Sequence, residues 1–332
     1  MVLLVLVGLG FSPVLYFNVY IDPYGIFRSN FEKQRIEPNS HFIKLRKIIH
    51  NPEEFDSFIF GNSRANNIDN TKIPGGRYFN LYYSLGLPSE YLRDLRLLLK
   101  HDVKIKNILL SVDFSAYSSD ETGRQFDVAR KAYRDDLSFL MRYYTEYIFL
   151  LPDTQFVNKV LATPENSIYK NILLTGRAVN TKAEENIEKD IKFHISQEKF
   201  LWPTYGYENH IDNVIATIDT ISRLCKSNNI ALKICMNPVH KATFLGNNRF
   251  LYFDFFKKLS HISNFYDFSG MNKVTTNNYF YYESSHFRPI IGDAMIDFMY
   301  KNKRIDSIPD FGFFITKENV ESRINTLEND SK

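Results

Sequence analysis

Short apolar runs that end in polar or Gly-containing loops alternate along this chain with stretches whose apolar residues recur at helical spacing. Phe55–Ser63 (FDSFIFGNS), Arg77–Ser84 (RYFNLYYS) and Lys106–Phe114 (KNILLSVDF) have the length and composition of buried strands. Between the second and third, Pro88 and Ser89 suit a helix start, and Tyr91, Leu92, Leu95, Leu98 and Leu99 fall on one helical face. Strand, helix, strand predicts a βαβ crossover. The alternation breaks from about residue 117 to 206, a polar and helical insertion. It resumes where Ile211, Val214, Ile215, Ile218, Ile221 and Cys225 form a helical stripe before a strand that ends at Asn237-Pro238. A helix around Arg249–Leu259, a strand at Asn264–Gly270, the loop YYESSHFRP and a closing helix (IIGDAMIDFMYK) complete the body. The pattern predicts one α/β domain over 41–304 with a mostly parallel sheet, its reactive loops gathered at the carboxyl ends of the strands. The charged stretch 305–332 reads as a loose tail.

Residues 1–21 carry no charged side chain, and at about 1.5 Å rise per residue they are long enough to cross a hydrocarbon layer about 30 Å thick. A transmembrane anchor over 1–21, followed by a polar connector over 22–40, is the expectation; Tyr16 and Tyr20 suit the interface. A cleaved signal peptide would need a basic start and a small-residue cleavage site, and the segment has neither. The alternative is a buried N-terminal helix.

Composition narrows the function classes. Lys and Arg total 41 against 38 Asp and Glu, too even a balance for nucleic-acid binding. Two cysteines cannot staple 332 residues, and no Cys/His spacing resembles a metal site, so neither a metal nor a cofactor is expected. There is no G-x-x-x-x-G-K, and the only G-x-G, Gly8 to Gly10, lies in the N-terminal apolar stretch. Aromatics are 15% of the chain, mostly core material; Trp202, Tyr205 and Tyr207 around Gly206 are the candidate glycan platform.

Two segments far apart carry the chemistry: FGNSRA around Ser63 and ESSHFRP around His286. A serine at a strand-to-helix turn exposes its hydroxyl and sets its amide at a helix N-terminus, where a developing oxyanion is favoured. Serine needs a base, and histidine is the usual one. Glu283, three residues before His286, suits the carboxylate that orients the imidazole. The bland alternative is that Ser63 caps a helix and His286 satisfies a loop. GNSRA lacks the second Gly of the α/β-hydrolase elbow, so a different hydrolase plan is required.

GNSR after the first strand, LYYSLGLPSE after the second, SVDFSAY after the third and a terminal E-x-x-H-F-R-P together resemble the SGNH/GDSL hydrolase superfamily. They resemble more narrowly its membrane-anchored branch of bacterial cell-surface polysaccharide O-acyltransferases and esterases. The resemblance covers about 50–300. It implies a three-layer α/β/α, flavodoxin-like fold and a catalytic domain outside the cytoplasm. It makes Ser63 the nucleophile, His286 the base and Glu283 the orienting acid, with the amides of Ser63 and Gly86 as oxyanion donors. The partners it implies are an acylated polysaccharide or glycan, the membrane and other envelope polysaccharide proteins.

One departure matters. The family usually places an Asn donor where this chain has Asp113, and an ionised Asp only accepts. Losing one oxyanion donor costs about 2.7 to 4 kcal/mol of barrier. We therefore expect an Arg64–Asp113 ion pair and take Asn237 as the candidate substitute donor. Arg288 is expected to bind an anionic sugar or to brace Glu283. His240, near Asn237, either faces the same cleft or, as a lone loop histidine usually does, lies at the surface. The rival to an acyl hydrolase or transferase is a catalytically silent glycan-binding or scaffold protein.

Overall fold

A computed structural model describes residues 12–119, 127–165, 167–201, 209–304, 308 and 310–330. The chain divides into two compact units, Asn51–Asp120 with Thr181–Lys332, and Met1–His50 with Glu121–Asn180.

The larger unit is built on β1 (Ser57–Phe60), β2 (Tyr78–Asn80), β3 (Asn107–Val112), β4 (Ala231–Met236), β5 (Phe265–Asp267) and β6 (Phe313–Ile315). They form one sheet in the order β2-β1-β3-β4-β5-β6, parallel except for β6, which runs antiparallel to β5. The predicted strands are all present but shorter. β2 is regular only as far as Asn80, whose side-chain oxygen accepts the Tyr82 amide at 3.0 Å, while the Leu81 and Tyr83 amides go on bonding the Ile59 and Gly61 carbonyls at 2.8 and 3.3 Å.

The central strands carry apolar runs, Phe58–Phe60, Ile108–Leu110 and Ile234–Met236, because both faces are covered there. On one face, Ile59, Leu109 and Cys235 join Ile291, Met295 and Ile296 of the closing helix in a single buried cluster. On the other, Phe60 meets Tyr91 at 5.8 Å between ring centres, in the helix α1 (Pro88–Lys100), and Phe256 meets Phe265 at 4.8 Å. The remaining helices of this unit are α2 (Thr181–Lys189), α3 (Ile191–Ile195), α4 (Ile211–Ser227), α5 (Lys241–Gly246), α6 (Arg249–Ile262), α7 (Pro289–Lys301) and α8 (Val320–Asp330). α4 packs between α1 and α6, as its predicted stripe requires: Ile211, Val214, Ile218, Ile221 and Cys225 are buried. Helices and sheet are consistent with a three-layer α/β/α arrangement.

The stretch 305–332 is not a loose tail. It supplies β6 and α8, and Arg323 of α8 is buried against Asp267, with Nε at 2.7 Å from Oδ2 and Nη2 at 2.9 Å from the Ser269 carbonyl. Its charge was misleading because one of its cations lies inside. The order of strands reverses between β1 and β3, so the crevice beyond their carboxyl ends is the natural ligand site of this sheet.

The smaller unit differs from expectation in its boundaries. The connector and the first part of the insertion fold together: Asn39 donates to the carbonyls of Val128 and Lys131, both at 3.0 Å, and Phe42 stacks on Tyr143 at 4.5 Å. The second part of the insertion, from Thr181, belongs to the sheet unit. Residues 12–21 are helical, the last six (Tyr16–Ile21) as a π-helix closed by Asp22 in the left-handed conformation (φ 47°). Asn18 is buried and donates to the carbonyls of Ile148 and Leu150 at 3.1 and 2.7 Å. Among the described residues no helix is long and apolar enough to cross a membrane; residues 1–11 of the expected anchor lie outside them, and the rest is tied to protein through Phe17 and Asn18. The helices Ser40–His50, Leu137–Ile148, Thr154–Ala162 and Ile172–Thr175 complete this unit.

Removing a buried ion-pair partner leaves an uncompensated charge. Arg323→Ala should therefore cost about 3 to 5 kcal/mol of stability in urea unfolding; a loss below about 1 kcal/mol, ordinary for a surface pair, would return 305–332 to the status of a tail.

Candidate functional site

Ser63 opens a short 3-10 helix (Ser63–Asn67) directly after β1, and Asn62 caps it, its side-chain oxygen accepting the Arg64 amide at 3.0 Å. The turn is tight. A Cβ on Gly61 would lie 2.5 Å from that of Ala65 and 3.1 Å from that of Ser111, so only glycine fits between the turn and β3.

His286 comes from the loop before α7, which is closed into a small arch. Tyr281 and Phe287 form an isolated antiparallel bridge, and the Tyr282 amide donates to the His286 carbonyl at 2.9 Å. The arch is fastened to the body by Thr243 donating to the Ser284 carbonyl, by Tyr281 Oη donating to the Pro238 carbonyl at 3.0 Å, and by the His194 ring on the Tyr281 carbonyl at 2.8 Å.

The two segments meet. Ser63 Oγ lies 2.7 Å from His286 Nε2 across 223 residues of sequence. Glu283 Oε1 contacts His286 Nδ1 and accepts the His286 amide at 2.9 Å, and its Oε2 accepts the Ser285 amide at 2.7 Å. Burial alone would raise the Glu283 carboxyl, but hydrogen bonding and attraction from His286, with the two amides, hold it below the ordinary carboxylate range. An ionised Glu283 only accepts, so Nδ1 donates to it, and in the neutral imidazole Nε2 is then left to accept from Ser63 Oγ–H. That is the tautomer a general base needs. The His286 and Glu283 side chains are each about one-third exposed (35% and 34%), so the pair is open to a ligand.

Beneath this surface lies a buried ion pair. Arg64 Nη1 is 3.1 Å from Asp113 Oδ1, with both side chains almost fully enclosed. The same guanidinium donates through Nε to the Ser285 carbonyl at 2.8 Å and through Nη2 to Ser285 Oγ at 2.6 Å, next to His286. It also lies over the Phe114 ring, 5.0 Å from its centre. Asp113 accepts further from the Ser115 amide (3.0 Å) and hydroxyl (2.6 Å), from Asn62 Nδ2 (3.0 Å) and from Asn237 Nδ2 (2.8 Å). Burial works against its charge, but Arg64 and then Ser115, Asn237 and Asn62 outweigh it and hold the carboxyl below its ordinary value. Donors converge on Asp113, so the position is built for an acceptor, and an amide there would face protons with protons.

Other expected residues stand elsewhere. Gly86 lies in the loop after β2, which the Tyr83 amide ties to the Gly61 carbonyl at 3.3 Å, but the Gly86 amide donates to the Tyr83 carbonyl at 3.1 Å and is already engaged. Its lack of a side chain is a packing need, since a Cβ would come within 2.6 Å of Tyr91 Oη. Asn237 is a buried brace, donating to Asp113 and accepting from Ser111 Oγ at 2.7 Å. Arg288 neither braces Glu283 nor presents itself to a sugar: it is buried on Glu184 (Nη2 to Oε2, 2.7 Å), Glu188 (2.7 Å) and the Tyr279 carbonyl (2.9 Å), pinning α2 to the arch. His240 is fully buried, one ring nitrogen 2.9 Å from Asn278 Oδ1, rather than at the surface. Trp202, Tyr205 and Tyr207 lie outside the described residues. Asn62, Ser115 and Ser285 carry no expected role of their own, although each stands in a segment already singled out: GNSR, SVDFSAY and ESSHFRP.

The chain matches no protein-family model and no curated protein in sequence. Its site is read from geometry.

Asp113→Asn keeps the shape and deletes the charge that balances Arg64. At neutral pH it should cost about 3 to 5 kcal/mol of stability. Because the folded-state carboxyl is held low, Asp113 contributes fully above about pH 4, its unfolded value, and loses its contribution as acid carries the pH through the folded one. Denaturant midpoints of the two proteins should therefore converge on acidification; a gap that stays constant down to strongly acid pH would remove the ion pair from the account.

Proposed function

We propose that this protein is an SGNH-type serine acyl hydrolase or O-acyltransferase acting on ester-linked acyl groups, acetyl first, of a cell-surface polysaccharide, held at a bacterial membrane by its apolar start. The observation that carries the proposal is the Ser63 Oγ to His286 Nε2 distance of 2.7 Å, with Glu283 on the far ring nitrogen. The arrangement of β1 to β5, in the flavodoxin-like order 2-1-3-4-5, supports it, with Ser63 at the switch point.

Ser63 Oγ attacks the acyl carbonyl while His286 Nε2 takes its proton, and Glu283 steadies the imidazolium that forms. The alkoxide of the departing sugar takes that proton back, leaving the acyl group on Ser63. Water or a second sugar hydroxyl, deprotonated by the same nitrogen, then attacks the acyl carbon, and the proton passes from His286 to the departing Ser63 Oγ, which frees the acyl group and restores the serine. Hydrolysis and transfer differ only in that second acceptor, which these three residues do not encode. The Ser63 amide, at the start of its 3-10 turn, supplies one oxyanion donor. A second donor from Gly86 requires its bond to the Tyr83 carbonyl to open, so turnover is expected to be slow.

That shortage of donors favours a second reading, a catalytically silent glycan-binding or scaffold protein of a polysaccharide assembly system. A chromogenic acetyl ester separates the two. Hydrolysis by the intact protein should fall roughly a thousandfold or more in Ser63→Ala, and a serine-directed phosphonate should label the protein at Ser63 and leave the variant unlabelled. Equal rates together with no labelling would establish the silent reading.

A further inference from the structure

We propose that the face of the smaller unit around Tyr16, Val19, Tyr20, Phe149, Leu151 and Leu161 lies in the headgroup layer of a lipid bilayer, so that the unit is seated in the membrane surface and not merely tethered to it. The proposal rests on the membrane placement given above and goes beyond it.

These six side chains are all large, apolar or aromatic, and exposed, Leu151 by 72% and Tyr20 by 75%. They are also neighbours. The bonds from Asn18 to the Ile148 and Leu150 carbonyls hold the helix that bears Tyr16, Val19 and Tyr20 against the chain end that bears Phe149 and Leu151. Leu161 shares a cavity of about 740 Å³ with Tyr16, Val19 and Tyr20. Moving this many apolar groups out of water to the headgroup–acyl boundary is favourable, and leaving them wet forfeits that gain.

Lipid is the occupant because of what precedes the patch. Residues 1–11 (MVLLVLVGLGF) carry no charge or hydrogen-bonding side chain, and they run straight into the helix whose exposed side begins the patch. An apolar segment that enters a bilayer must bring the adjoining surface to the headgroup boundary. Tyr16 and Tyr20, stacked at 4.9 Å between ring centres, are the residue type favoured at that depth. Apolar Phe27 and Leu161 line the cavity together with charged side chains of both signs, Arg28 and Lys33 with Glu32 and Glu165. Lys33 is exposed beside it, on a stem long enough to keep its charge among phosphates.

The test uses the full chain in vesicles of phosphatidylcholine and phosphatidylglycerol. Leu151→Cys and Leu161→Cys, labelled in turn with an environment-sensitive dye, exploit the burial of both native cysteines, Cys225 and Cys235. Labels at both positions should shift to the blue, be quenched by a lipid nitroxide placed just below the headgroups, and resist aqueous iodide. Protein that floats with the vesicles while its labels stay open to iodide would overturn the seating and leave the anchor intact. Shielding from iodide without quenching by the lipid nitroxide would mean that a protein covers the face, again overturning the proposal. Failure to float would overturn both anchor and seating.

Discussion

The site depends on one buried ion pair. Arg64 and Asp113 sit under the loops that follow β1 and β3, and the guanidinium reaches onward to the carbonyl and hydroxyl of Ser285. One side chain thereby joins three segments that the chain order keeps far apart, and the residue after each Arg64 contact on the arch is the histidine itself. A buried pair of this kind is a poor source of net stability, because two charges must leave water. Its value here is geometric: neither partner can move without stranding the other, so the spacing of Ser63 and His286 is set by the least forgiving interaction in the neighbourhood.

The departure of Asp113 from the resembled family's asparagine takes on a different meaning in this setting. An asparagine donor and an aspartate acceptor are alternative uses of one position. The donors from Arg64, Asn62, Asn237 and Ser115 all converge on the carboxylate. A chain that commits this position to holding Arg64 gives up a hydrogen-bond donor there and gains a rigid mount for the segment that carries His286. Burial sharpens the trade, since every one of those polar atoms must find a partner once water is excluded.

The exposed apolar face and the Ser63–His286–Glu283 site belong to separate units, and each has its own physical logic. In the sheet unit the apolar strands are covered by helices on both faces, so little large apolar surface is left for other purposes around the central strands. In the smaller unit the aromatic core of Phe42, Tyr143 and Tyr147 is closed, yet a row of large apolar residues remains outside it. Exposed apolar side chains gathered in this way mark an interaction surface.

The βαβ pattern, the helical stripe of α4 and the candidate roles of Ser63, Glu283 and His286 were legible in the sequence, because period, apolar run length and residue chemistry are local properties. The Arg64–Asp113 pair was also foreseen, as a charge needing a partner. Tertiary structure alone decided the rest. Arg288 and Arg323 look alike as exposed cations in a string of letters, and packing buried both, one on Glu184 and the other on Asp267. Gly86 carries the same letter whether its amide is open or, as here, turned onto the Tyr83 carbonyl. Which stretches of the insertion joined which unit was equally hidden, since contacts such as Asn39 to Lys131 depend on where the backbone returns, and no local pattern records the return of a chain to a distant part of itself.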